Sequence, residues 1–328
     1  MANFYLIGEV GAGNSVTSLT LELAGLCGEL TSAEGGAFKV ILLGDDKSSL
    51  KAAADSVSSY GFDVLVIEKK ELSVYSPEIY LGAIKKVLEK EDSARIVAGH
   101  TSLGQDLIPR LSYAIGGAVV TDCIGLELCS NSNALLCKRY LYGGNALAVQ
   151  RINSPVAAVT VRPRVGIAPE KSDKAGKVEF APKADIGKSV VKITGSEVAD
   201  KEIELEDASI VVAGGRGMGS AEGFKNLEDL ARLLNGVVGT SRPPVDSGWA
   251  DPTRQIGITG KIVAPDLYIA VGLSGSSQHI SGMSESGVIV SINKDSESFI
   301  FSVSDYGVAG DWQSVLPAFT ERLKEHFA

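Results

Sequence analysis

Leu267-Tyr268-Ile269-Ala270-Val271-Gly272-Leu273-Ser274-Gly275-Ser276-Ser277-Gln278-His279-Ile280-Ser281-Gly282 decides the fold. Five continuous apolar residues, Leu267–Val271, read as a strand buried on both faces. A glycine- and serine-rich turn follows and opens a helix. In an open α/β sheet such a turn lies at the carboxyl edge of the strands, where ligands bind.

The same unit recurs on either side. Ser209–Ala213 is a strand. It leads through Gly214-Gly215-Arg216-Gly217-Met218-Gly219-Ser220 into a helix, Ala221–Leu234, with Phe224, Leu227, Leu230 and Leu234 on its buried stripe. Val237–Thr240 and Val288–Ile292 are further strands, and Trp312–His326 is a closing helix. Two more loops carry polar residues: Thr240-Ser241-Arg242-Pro243-Pro244-Val245-Asp246, stiffened by its prolines, and Gln255-Ile256-Gly257-Ile258-Thr259-Gly260-Lys261.

The first half alternates in the same way. Strand-like runs at Phe4–Val10, Lys39–Leu43, Asp63–Ile67 and Arg95–Ala98 separate helical stretches at Ser15–Leu30, Lys47–Tyr60, Pro77–Lys90 and Gly104–Ile115. In Pro77–Lys90, Ile79, Ala83, Val87 and Lys90 share one stripe, with Tyr80, Ile84 and Leu88 beside it. After about Gly117 the helical period stops. Ala118–Leu128, Ala134–Tyr142, Ala146–Ile152 and Ala157–Val161 read as strands forming an extra edge of the same sheet. Arg162–Gly187, with three prolines and many charges, reads as a surface-hugging linker and mobile joint, followed by an extended run near Ser189–Ile193. The expected fold is α/β. A doubly wound parallel-sheet domain spans residues 1–200, linker-like at 162–187. A second doubly wound domain, Rossmann-like in flavodoxin order, spans 201–328 and starts near Glu202.

Composition narrows the function. The 328 residues suit two domains, and 45% hydrophobic residues suffice for two cores. A net charge of -9 argues against nucleic acid and anionic membrane surfaces. No apolar run approaches a membrane span, and the N-terminus, MANFYLIGEVG, reads as no signal peptide. Cys27, Cys123, Cys129 and Cys137 show no C-x-x-C spacing, so no metal or iron–sulfur site is expected, and they read as reduced core residues. The expected compartment is the cytoplasm, or the mitochondrial matrix for a processed eukaryotic chain.

The four loops of the second half suit a phosphate-bearing, redox-active ring. Small residues let backbone N–H groups approach an anion, a helix N-terminus adds partial positive charge, and Arg216 can grip a phosphate oxygen. Each feature has a plainer use: glycine-rich turns also merely pack, and Arg242 also makes an ordinary ion pair. Of the three histidines, only His279 sits between a Gly/Ser loop and a helix start.

Gln278-His279, then Gly282, then Ile289-Val290-Ser291-Ile292-Asn293-Lys294-Asp295, together with Leu267–Gly275, resembles the C-terminal signature of the electron transfer flavoprotein α subunits. The likeness runs from about Ser209 to Leu323 with preserved loop order. It is thinner in the first half, at Leu141-Tyr142-Gly143-Gly144-Asn145-Ala146-Leu147 and in the G-x-x-L-x-P-R helix within Thr101–Leu111.

The resemblance implies one FAD in this subunit and no catalytic residues. Arg216, Ser241 and Ser274, with Gly275 and Ser276 of the same loop, would lie along the ribityl and pyrophosphate. Arg242 would stand against the isoalloxazine ring, and Thr259 near N5 in the loop that also holds Gln255 and Gly260. Gln278 and His279 would face the pyrimidine edge; Asn293, Lys294 and Asp311 would frame the adenosine. A β subunit holding AMP or a second FAD is the implied partner, docked by the first domain. The implied function is an electron carrier. It takes electrons from acyl-CoA-type or similar flavin dehydrogenases, or exchanges with them during NADH-driven bifurcation, through an anionic semiquinone. Ile258 stands where the family pattern has Gln, Ser277 where it has a β-branched apolar residue, and Ser291 where it has Ala.

Two other classes compete. An NAD-dependent oxidoreductase wants a third glycine after Gly11-Ala12-Gly13, which the sequence lacks. A non-redox nucleotide-binding protein holding AMP would be colourless.

Overall fold

The computed structural model describes residues 2–11, 14–129, 132, 134–142, 144, 146–182, 185–191, 194–195 and 205–327. Ala12, Gly13, Gly143, Asn145, Lys192, Ile193 and Glu202, on which parts of the sequence reading fall, lie outside the described residues. The chain divides into two compact units, Met1–Glu197 and Val198–Ala328.

The first unit runs β1 (Asn3–Gly8), α1 (Ser18–Glu34), β2 (Phe38–Gly44), α2 (Lys47–Ser58), β3 (Asp63–Glu68), α3 (Pro77–Leu88), β4 (Ala94–Gly99) and α4 (Ser102–Ala114). Five strands follow: β5 (Ala118–Leu128), β6 (Leu135–Leu141), β7 (Ala146–Ile152), β8 (Val156–Val161) and β9 (Val178–Phe180). They form one nine-stranded sheet of order β7-β6-β5-β8-β4-β1-β2-β3-β9. All neighbours are parallel except the pairs β5–β6 and β6–β7. Side chains cap the starts of α2 and α4: Asp46 accepts from Ser48 and Ser49 N–H, and Thr101 from Gly104 N–H. Buried Ile79, Ala83, Ile84 and Leu88 confirm the α3 stripe, while Lys90 falls beyond the helix.

Two features depart from the sequence reading. The strand Val156–Val161 is not at the edge: it lies between β4 and β5, parallel to both. Its five residues Ala157–Val161 are buried, as such a position demands. The charged stretch from Arg162 is bound along its length to the first unit. Ser172 N–H donates to Ser59 O at 2.9 Å, Gly176 N–H to Ser58 O at 2.8 Å and Ala181 N–H to Val66 O at 2.8 Å. Within it, β9 adds a parallel strand beyond β3.

The second unit runs β10 (Ile210–Gly214), α5 (Ala221–Leu233), β11 (Val237–Thr240), α6 (Arg242–Asp246), β12 (Leu267–Val271), α7 (Ser277–Ile280), β13 (Val288–Asn293), β14 (Tyr306–Ala309) and α8 (Trp312–Phe327). The sheet is wholly parallel, of order β11-β10-β12-β13-β14. This is the flavodoxin-like order. Phe224, Leu227 and Leu230 of α5 pack with Val212, Ile269 and Leu316 on one sheet face. Each such buried side chain contributes roughly 1.5–3 kcal/mol. Tyr268, Ile256, Met283 and Ile289 pack on the other face.

Candidate functional site

The strand order fixes where a ligand can enter. From β10 the chain winds to β11 on one side and then to β12 on the other, so the loops after β10 and β12 diverge and leave a crevice. A cavity of about 230 Å³ lies there. It is lined by Arg216 and Gly217 after β10, Ser241 and Pro243 after β11, Gly272–Ser276 and His279 after β12, and Asn293, Asp295 and Ser298 after β13. Four of the five carboxyl strand ends thus contribute. The volume is below the roughly 300–1,000 Å³ typical of a site that engulfs a ligand.

The two switch-point loops interlock through glycines. Gly217 N–H donates to the Gly272 carbonyl at 3.0 Å, and Gly215 N–H to Val271 O at 2.9 Å. Gly272 has φ +62, and a Cβ there would lie 3.0 Å from the Gly217 backbone. The Trp312 indole N–H donates to Gly217 O at 3.0 Å, so α8 pins the same turn.

These bonds decide which donors remain for a ligand. In the first loop the N–H groups of Gly215, Gly217, Met218 and Gly219 are all used internally. In the loop after β12, by contrast, Ser274, Gly275, Ser276 and Ser277 N–H make no hydrogen bond among the described residues. Ser241 is only 8% exposed, and its hydroxyl likewise has no partner among the described residues. An orphaned hydroxyl and a run of free N–H groups around one cavity suit phosphate and polyol oxygens. The residues present therefore fit the FAD expectation, with the unbonded N–H groups on the loop after β12 rather than on the loop after β10.

The other expected residues divide clearly. Arg216, Ser241, Ser274, Gly275, Ser276, His279 and Asn293 line the cavity; Arg242, Gln255, Thr259, Gly260, Gln278, Lys294 and Asp311 do not. Arg242 is exposed and pairs with Asp246 at 3.3 Å across one turn of α6. Gln255 donates to the Thr259 hydroxyl at 3.0 Å. Asp311 accepts from Gln313 N–H at the start of α8, a capping role. Asn293 is fully engaged: it donates to Leu273 O at 2.7 Å and the Ser298 hydroxyl at 3.0 Å, and accepts from Asp295 N–H at 3.0 Å. It holds the loop rather than presenting a free group.

His279 departs most from expectation. It is 3% exposed. Nδ1 lies 3.1 Å from the Ile256 carbonyl and Nε2 lies 2.8 Å from the Tyr268 hydroxyl. Burial pushes its pKa down to about 4, opposed by the bond to Ile256. The ring is neutral near pH 7, and neither nitrogen is free to donate to a ligand. Sequence reasoning missed Ser298 and Trp312. Ser298 donates to Leu273 O and Ser274 O, and only its place in a polar turn hinted at this.

A wholly parallel sheet in this order, with a cavity at the switch point, is the doubly wound α/β architecture that binds nucleotides at that place. Residues 6–186 match the family described as "Electron transfer flavoprotein domain", and residues 204–284 the "Electron transfer flavoprotein FAD-binding domain". The chain is 36% identical over 325 residues to the electron transfer flavoprotein subunit alpha of Bacillus subtilis, covering 98% of this chain and 97% of that one. It is 34% identical to Protein FixB of Clostridium saccharobutylicum over 94% of this chain and 92% of that one. It is 37% identical to a probable mitochondrial α subunit of Caenorhabditis elegans over 79% of this chain and 77% of that one. The chain belongs to the electron transfer flavoprotein α-subunit family. Among the described residues no helix is long and apolar enough to cross a membrane.

Proposed function

We propose that the second unit holds one FAD and that the chain works as the α subunit of a heterodimeric electron carrier. The observation that carries the reading is the switch-point cavity, with the free N–H groups of Ser274–Ser277 and the unpartnered Ser241 hydroxyl around it. FAD, when bound, supplies the one-electron chemistry. The chain's own residues bind and orient it. Ser241, Ser274 and Ser276 serve its polyol and phosphate oxygens, and Arg216 offsets the phosphate charge. Arg242, always charged, would add positive charge on the side of the bound ring.

The first unit docks a β subunit that carries AMP or a second FAD. The donor is a flavin dehydrogenase of the acyl-CoA type or similar, and with two FAD the pair bifurcates electrons from NADH. The compartment is the cytoplasm or the mitochondrial matrix. The test is co-expression with the β subunit, followed by acid extraction and chromatography of the released flavin. FAD recovered with the complex and lost when Gly217→Ala and Ser241→Ala are combined supports the reading; a colourless complex removes it.

A further inference from the structure

Tyr268, the second residue of β12, is wholly buried among Val211, Ile256, Met283 and Ile289. Its hydroxyl meets one polar partner among the described residues, His279 Nε2 at 2.8 Å. The proton positions follow from elementary valence. A carbonyl only accepts, so His279 Nδ1, 3.1 Å from Ile256 O, carries the ring proton. Burial pushes the Tyr268 phenol well above its ordinary pKa, so it keeps its proton and donates it to Nε2. The cationic imidazole would turn the Tyr268 hydroxyl into an acceptor and leave its proton unpaired in an apolar cluster, which is costly.

His279 thus ties two walls of the site together. Beside its bond to Ile256, Ile258 N–H donates to Gln278 O at 2.9 Å and Val263 N–H to Gly282 O at 2.8 Å. We propose that Tyr268 is a positioning residue of the FAD site, fixing His279 as the neutral Nδ1–H tautomer and so clamping the wall after β12 onto the loop Gln255–Lys261. The link to FAD rests on the reading above; the tautomer does not.

The test is nitrogen NMR of the histidine-labelled full chain in complex with its β subunit, before and after FAD loading. The chain has only three histidines, and His279→Gln assigns the signal. The expected spectrum shows a protonated Nδ1 and an unprotonated, hydrogen-bonded Nε2 near neutral pH. In Tyr268→Phe the Nε2 signal moves to the position of a free ring nitrogen, and FAD affinity falls about tenfold, as for one lost buried hydrogen bond. A wild-type Nε2–H tautomer, a cationic ring, or an Nε2 signal unmoved by Tyr268→Phe overturns the proposal. The wild-type spectrum decides even if the variant does not fold. The expected tautomer in a complex that binds no FAD would overturn the functional reading alone.

Discussion

Gly217→Ala is the sharpest perturbation of the site. A Cβ at Gly217 would lie 2.8 Å from both the α-carbon and the carbonyl oxygen of Gly272, whereas ordinary contact begins at 3.4 Å. The loops after β10 and β12 must therefore part by about 0.6 Å, the difference of those two distances. Both offending atoms are backbone, so no rotamer change relieves them. The bond from Gly217 N–H to Gly272 O, now 3.0 Å, stretches as well. Overpacking of this kind costs about 1–3 kcal/mol. That energy is drawn from the geometry of the cavity, so FAD affinity should fall about five- to 150-fold. Titration of flavin-stripped complex with FAD, followed by flavin fluorescence, measures it. Gly219→Ala is the control for backbone strain without contact: it lies in the same loop, has a φ of 80 that Gly217 lacks, and meets nothing within 4 Å. An affinity within twofold of wild type for Gly217→Ala would refute the interlocked-loop reasoning.

Ser241→Ala should weaken FAD binding about two- to tenfold without lowering the melting temperature, because its hydroxyl has no partner among the described residues to lose. Arg242→Ala should lower the one-electron potential by no more than about 40 mV in spectroelectrochemical titration, since the guanidinium is 67% exposed and already shared with Asp246. His279→Ala should cost stability first, because it orphans Tyr268 and Ile256 O, each worth about 1–3 kcal/mol in chemical denaturation. The pKa of His279 is lowered by folding, so its contribution is fully present above pH 6.5 and is lost as pH falls toward about 4. Up to about 3 kcal/mol should disappear across that window, and His279→Gln should flatten that part of the profile.

The periodic elements were legible because their patterns are local. The strand Leu267–Val271 and the stripe Phe224, Leu227 and Leu230 of α5 stand in the structure as the sequence implied, while Leu234 caps the helix and is only partly buried. What escaped had no local signature. β14, Tyr306–Ala309, is only four residues long and holds Gly307, too short and interrupted a run to mark a strand. The two prolines after Arg242 read as loop stiffeners, yet they open α6, where a missing N–H costs nothing. Charges in Arg162–Gly187 concealed backbone bonds that side-chain composition cannot reveal.

In the site, residue types were legible but the use of each donor was not. The glycine-rich first loop looked like the anion cradle, whereas most of its N–H groups are spent holding the loop together. His279 looked like a ligand donor because its sequence neighbours are polar. Its partners, Tyr268 and Ile256, come from 11 and 23 residues away.

The central claim, that the second unit carries FAD at the switch point between β10 and β12, is tested most directly by counting flavin. The complex of this chain with its β subunit is purified, and flavin released by acid is quantified against protein. The account predicts at least one FAD per complex, with a second only if the β subunit holds its own. It also predicts one FAD fewer when Gly217→Ala and Ser241→Ala are combined in this chain. A wild-type complex without FAD, or a flavin count unchanged by the paired substitutions, would contradict it.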